Sequence, residues 1–204
     1  MINLTIQKSF YLFSIIRKIV QLTLSYWILA FLKIQGVKVS YTTRLLGCPI
    51  VDIRHGGRLY IGRKVKLISN PRDTALGVNH PCIIRLLSEN SVVEIHQGTG
   101  ISGATICCQD SVIIGEDCLV GANVIIADTD FHPLAPANRR FSKIGVSSGP
   151  VIIGNNVFIG TGSIILKNLT IGENSVIGAG SVVVNSLPSN CVAGGNPAKI
   201  IRYL

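Results

Sequence analysis

The stretch Ala127 to Arg140, "ADTDFHPLAPANRR", gathers Asp128, Asp130, His132, Arg139 and Arg140 around two prolines. An imidazole titrates near neutrality, so His132 has the side chain best suited to taking a proton from a hydroxyl. Asp130 or a backbone carbonyl can fix the tautomer of such a base. Asp128 and Asp130 can accept hydrogen bonds from the hydroxyls of a ligand. Arg139 and Arg140 can grip an anionic group, or simply form a solvated loop face. Pro133 and Pro136 stiffen the segment, which suits a loop that presents one imidazole. A lone loop histidine is as readily a solvated side chain as a base, and the segment by itself leaves both readings open.

Rival chemistries find less support. The other histidines, His55, His80 and His96, are scattered, with no closely spaced pair near His132. The six cysteines, Cys48, Cys82, Cys107, Cys108, Cys118 and Cys191, form no CxxC and no Cys/His cluster of zinc spacing. No metal site is therefore expected. Several of these cysteines sit inside apolar runs, where a thiol packs as a small hydrophobe. That points to reduced cysteines and a cytoplasmic protein. Walker and GxGxxG phosphate loops are absent, and Gly194-Gly195 is too short a signal to use.

The elements that must position the segment are legible on either side of it. From about Val112 aliphatic residues recur every six positions: Ile114, Val120 and Ile126, then Ile153, Ile159, Ile165, Ile171, Ile177 and Val183. Glycine follows at 115, 121, 154, 160, 172 and 178. A period of six is too short for a helical repeat and suits a short strand plus a tight turn. Three such units make a triangular coil of about 18 residues, and stacked coils bury a continuous aliphatic shaft. Between Ile126 and Ile153 the period is lost, and an ordered loop of that length is usually functional. Upstream, "RLYIGRKVKLIS" and "SVVEIHQGTGISGATI" have the same texture with slips, so imperfect coils are expected between about Val51 and Ser111. The tail "GGNPAKIIRYL" is placed to cap the last coil, whose open edge needs covering.

Taken together, "IGEDCLVGANV", "IGNNVFIGTGSIILKNLTIGENSVIGAGSVV", "DTDFHPL…RR" and the ending "VAGGNPAKIIR" resemble the hexapeptide-repeat acyltransferases, over about residues 88–203. The likeness is closest to the bacterial acetyltransferases that modify sugars and surface polysaccharides. The resemblance implies an all-β fold, a left-handed parallel β-helix, and trimers with active sites between adjacent shafts. It implies acetyl-CoA as cosubstrate and His132 as general base, with direct transfer to a hydroxyl. Asn123 matches an active-site asparagine of related enzymes, although a turn asparagine would sit there equally well. "FIGTG" matches the groove for the pantetheine arm. It assigns Phe158 and Gly160 to cofactor binding and Thr161 to the thioester oxygen. Phe158 stands where relatives often have Trp, which keeps an aromatic ring in place. The tail borders the adenine end of the cofactor in the family, so Lys199 and Arg202 are candidates for its phosphates.

The front of the chain lies outside the resemblance. Residues 1–72 hold 12 Lys and Arg against one acid, Asp52, and residues 73–204 hold 7 against 9, so +11 and −2 make up the formal +9. Such asymmetry implies a surface facing something anionic. No nucleic-acid motif or aromatic platform accompanies it, so nucleic acid is not expected. In Phe10 to Leu32 the polar residues Ser14, Lys18, Gln21 and Ser25, with Arg17 beside them, draw one stripe on a helix. With Arg17 and Lys18 interrupting it, the clean apolar remainder falls short of a bilayer span. Residues 1–35 are expected to lie in a membrane interface, at the inner face of the cytoplasmic membrane. Packing on its own domain or on a partner subunit, and a signal sequence or a true span, are the competing readings. The domain expectation is an amphipathic segment at 1–40, a β-helix at 41–187 with an insertion at about 127–150, and a cap at 188–204. The functional expectation is an O-acetyltransferase acting on a bacterial surface glycan or its lipid-linked precursor. The alternatives are a soluble small-molecule acetyltransferase and a non-catalytic β-helix scaffold.

Overall fold

The six-residue period folds as expected into a left-handed parallel β-helix. The computed structural model describes residues 4–53, 56–137 and 139–204; His55 lies outside them. Its strands form three sheets of six, eight and six. Two strands of the second sheet belong to a C-terminal hairpin, so each face of the shaft has six strands, one per coil. Pairing along the shaft is parallel and in register, as in Val112–Ile114 against Val151–Ile153.

Register explains the core. On the first face Ile61, Ile95, Ile114, Ile153 and Ile171 stack one above another, all buried. Leu67, Ile101, Val120, Ile159 and Ile177 do the same on the second face, and Ile84, Ile106, Ile126, Ile165 and Val183 on the third. The corners are as specific as the core. Asn156, Asn174 and Asn190 take left-handed backbone conformations, and their side chains hydrogen-bond in a ladder along the corner, each step 3.0 Å. At Gly160 a Cβ would stand 2.4 Å from the Ala179 amide nitrogen of the next coil, so only glycine lets these two coils approach.

The shaft begins further upstream than its sequence texture. Its first coil is Lys38–Val39, Arg44–Leu46 and Ile50–Asp52, not a start near Val51. Charged outward residues and a 3₁₀ turn at Pro71–Asp73 within the second coil blur the period there. After the sixth coil, Cys191–Gly195 adds to the second sheet and Ala198–Tyr203 folds back on it antiparallel.

The N-terminal helix, Leu4–Ile34, packs across the start of the shaft. Leu29 and Leu32 are buried there, and the Leu45 amide donates to Ser25 Oγ at 3.1 Å. Arg17 pairs with Asp73 at 3.1 Å, and Gln21 donates to the same carboxylate. Most of the polar stripe therefore faces the protein, and the apolar remainder faces outward: Phe13, Ile16, Val20, Leu24, Trp27 and Phe31 are all exposed. By length and composition alone, Tyr11–Ile34 is also apolar enough to cross a membrane, the competing reading that Arg17 and Lys18 weigh against. Two adjacent cations near one end of 24 residues do not interrupt the apolar stretch that follows them.

Candidate functional site

The predicted loop leaves the shaft at the corner between the third face, after Ile125–Ala127, and the first face, before Val151–Ile153. Its base is pinched by an antiparallel bridge between Thr129 and Ser148. The Asp130 amide donates to Ser147 O at 3.0 Å, and the Gly149 amide to Asp128 O at 3.0 Å. Asp128 is fully buried beneath this pinch. Its two carboxylate oxygens accept the Gln109 and Asp110 amides at 2.7 Å each. Burial raises its pKa above the ordinary carboxylate value, and the two amides oppose that rise. The expected acceptor-binding Asp128 is thus turned into the coil, because both its oxygens are taken by the chain beneath.

Asp130 and His132 occupy the mouth of the pinch. Phe131, between them, is held at φ 62°, and its amide donates to Thr129 Oγ1 at 3.3 Å. The His132 amide donates to Asp130 O at 2.7 Å, and the imidazole itself is exposed. Asp130 Oδ1 pairs with Lys167, which sits one coil further on at the same corner. Asp130 Oδ2 is buried and has no hydrogen-bond partner among the described residues. Lys167 was not singled out from sequence, since its partner lies 37 residues away; its place at the corner directly above the loop base was the available signal. Arg139 donates to Leu134 O, and Arg140 lies 5.5 Å from the centre of the Phe141 ring. Both arginines are exposed on the outer part of the loop.

The other candidates gather elsewhere. Asn123 stands at the corner between the second and third faces with φ 60°, and its Oδ1 accepts the Asn79 amide at 2.8 Å. Thr161 stacks on the same corner one coil above. Its hydroxyl donates to Ala122 O at 2.6 Å, and its own N–H makes no hydrogen bond among the described residues. Phe158 projects half-exposed from the second face between Leu119 and Val176. Lys199 and Arg202 are exposed on the C-terminal hairpin at the far end of that sheet. Phe158, Gly160, Thr161, Lys199 and Arg202 thus follow one face and its corner. The loop with Asp130 and His132 stands at the other side of the third face. At about 3.3 Å per residue, the chain from Thr161 to Lys167 spans up to about 20 Å.

Of the remaining histidines, His96 bonds Glu94 at 3.1 Å and His80 bonds Pro81 O at 2.8 Å. Among the described residues no three His, Cys, Asp or Glu converge as metal ligands would. A groove of about 500 Å³ on the first face, lined by His96, Glu116, Ile152 and Thr170 among others, contains none of the predicted residues.

Residues 150–185 match the family described as bacterial transferase hexapeptide (six repeats), and residues 103–127 the hexapeptide repeat of succinyl-transferase. The chain is 40% identical over 105 residues to a polysialic acid O-acetyltransferase of Escherichia coli, covering 52% of this chain and 33% of that protein. It is 43% identical over 100 residues to a galactoside O-acetyltransferase of Escherichia coli, covering 49% and 48%. The chain thus spans half or less of the length of these curated relatives. Among solved structures, AntD, an N-acyltransferase from Bacillus cereus in complex with an amino-sugar nucleotide and coenzyme A, superposes with a TM-score of 0.67 at 22% identity. That match covers 85% of this chain and 87% of AntD. A maltose O-acetyltransferase from Clostridium difficile gives a TM-score of 0.52 at 26% identity over 82% of this chain and 69% of that one.

Proposed function

We propose that this chain, a member of the hexapeptide-repeat acyltransferase family, transfers an acetyl group from acetyl-CoA to a hydroxyl of a bacterial surface glycan or its lipid-linked precursor. The observation that carries the reading is the loop itself. It lifts an exposed His132 off a rigid shaft beside a buried carboxylate oxygen, Asp130 Oδ2, that has no partner of its own among the described residues.

In this reading His132 takes the proton from the acceptor hydroxyl, and the oxygen attacks the thioester carbonyl carbon. The oxyanion of the tetrahedral intermediate is met by the Thr161 N–H, which has no acceptor among the described residues. The carbon–sulfur bond then breaks, and the proton held on His132 passes to the departing thiolate. Asp130, anchored by Lys167, is the candidate for holding the imidazole tautomer. Phe158 packs on the pantetheine arm, and Lys199 and Arg202 receive phosphates. Arg139 and Arg140 face the acceptor from the outer loop. Asn123, its oxygen committed to Asn79, retains its amide NH₂ for the acceptor.

His132 and Thr161 stand at different corners of one shaft, which supports a trimer in which the loop of one chain meets the groove of the next. The outward apolar face of the N-terminal helix supports a place at the inner face of the cytoplasmic membrane. The test is incubation with labelled acetyl-CoA and a panel of glycan extracts, followed by mapping of the ester by NMR. Label in an O-linked acetyl group with the wild type and none with His132→Ala is the expected result. Label transferred equally by both proteins removes His132 from the chemistry.

A further inference from the structure

A cavity of about 1090 Å³ lies between the N-terminal helix and the first two coils. Arg17, Lys18, Arg44, Lys64 and Lys66 line it, with Asp73 as the single acid among the described residues. Asp73 is spent on Arg17 and Gln21. Among the described residues, Lys18, Arg44, Lys64 and Lys66 have no carboxylate partner. Arg44 and Lys66 are moreover direct register partners on adjacent parallel strands, about 4.8 Å apart. Like charges placed so are unfavourable unless something anionic lies between them. The next residue in that register is Gly100, which leaves the space beside Lys66 open.

The cavity adjoins the helix whose apolar face is unpartnered. Leu22 and Tyr26 reach its wall, and Trp27, 77% exposed, projects beyond it. An indole of that exposure on the outward apolar face matches the boundary between acyl chains and headgroups, with the cations of the cavity on the protein-facing side of the helix. We infer that this cavity is an anion site for the phosphate of an anionic phospholipid, seated while the outer face of the helix lies in the bilayer surface. The helix remains in the membrane plane: spanning would withdraw Ser25, Leu29 and Leu32 from the first coil. The inference rests on the membrane-facing reading of the helix, and it adds where the headgroup goes.

Each surface cation near an anionic bilayer strengthens binding about fivefold. The triple variant Arg44→Gln/Lys64→Gln/Lys66→Gln should then bind about 100-fold more weakly. The full chain is floated with vesicles of phosphatidylcholine alone and with vesicles containing phosphatidylglycerol. The expected result is a strong preference for phosphatidylglycerol, lost in the triple variant. Arg58→Gln/Arg85→Gln/Lys143→Gln, which removes the same charge from residues that do not line the cavity, should keep it. Trp27→Ser/Phe31→Ser should weaken binding to both vesicle types. Acetyl transfer to a soluble acceptor should be unchanged in the triple variant, which keeps this test apart from that of the chemistry. Equal binding to both vesicle types, or an equal loss in the charge-matched variant, overturns the site while leaving the helix as a membrane face. Absence of binding to either vesicle overturns both. Tight binding of inorganic phosphate without vesicles, abolished by the triple variant, overturns the lipid as ligand.

Discussion

His132 is exposed and, among the described residues, bonds the fold only through its backbone amide. Its replacement by Ala should therefore leave the melting temperature in place. Turnover should fall by about 100-fold or more, since positioned general bases contribute factors of that size; a steady-state assay beside a thermal melt reads both. Asp128 behaves in the opposite way. Asp128→Ala leaves the Gln109 and Asp110 amides without acceptors beneath the loop, at about 1 to 3 kcal/mol for each buried donor. A drop of about 2 to 6 kcal/mol in urea denaturation is expected, with the loss of activity following the loss of fold. The two aspartates look alike in "DTD", and sequence had no means to separate them. What separates them is the pinch at Thr129 and Ser148, which turns one carboxylate into the coil and leaves the other at the mouth. His132 was legible because the repeat stops around it. Lys167 was not, because its role comes from stacking one coil on another and not from any local pattern.

At the scale of elements, regular coils were readable wherever every sixth residue is aliphatic and every corner small. The first coil was not, since Lys38 and Arg44 interrupt its outward face and its three short strands hold few core residues. The polar stripe of the helix was readable, but its direction was not: an amphipathic pattern does not say which face meets the protein. The coil assignment makes the thiols a probe. Cys82, Cys108, Cys118 and Cys191 are buried, and Cys48 is exposed. Burial raises the pKa of Cys82, Cys108 and Cys118, which further suppresses the thiolate. Mass spectrometry after brief alkylation of the native protein should find Cys48 labelled first and half-buried Cys107 more slowly. The four buried thiols should react only after denaturation. Early labelling of Cys118 or Cys191 would contradict the packing of the coils around the loop and tail.

The whole molecule raises the question of how two separated corners make one site. Within one chain the third face stands between the loop and Thr161, so the hydroxyl-activating and thioester-binding parts do not converge along the shaft. Three shafts related by a threefold axis solve this if each loop reaches the second–third corner of its neighbour, and a closed ring of that kind leaves no open interface. The expected mass by light scattering is then about 66 kDa, three chains of 21.9 kDa each. The sharper test is complementation. His132→Ala subunits carry an intact groove. Subunits with Thr161→Pro lose the N–H expected to meet the oxyanion but keep an intact loop. Each homotrimer should be nearly inactive. In mixed trimers some interfaces join a wild-type loop to a wild-type groove, so unfolding the two variants together and refolding them should restore a sizeable fraction of wild-type turnover. A mixture no more active than its parents, with mixed trimers verified by mass spectrometry, would place His132 and Thr161 in one chain's site and require the loop to fold back across its own third face.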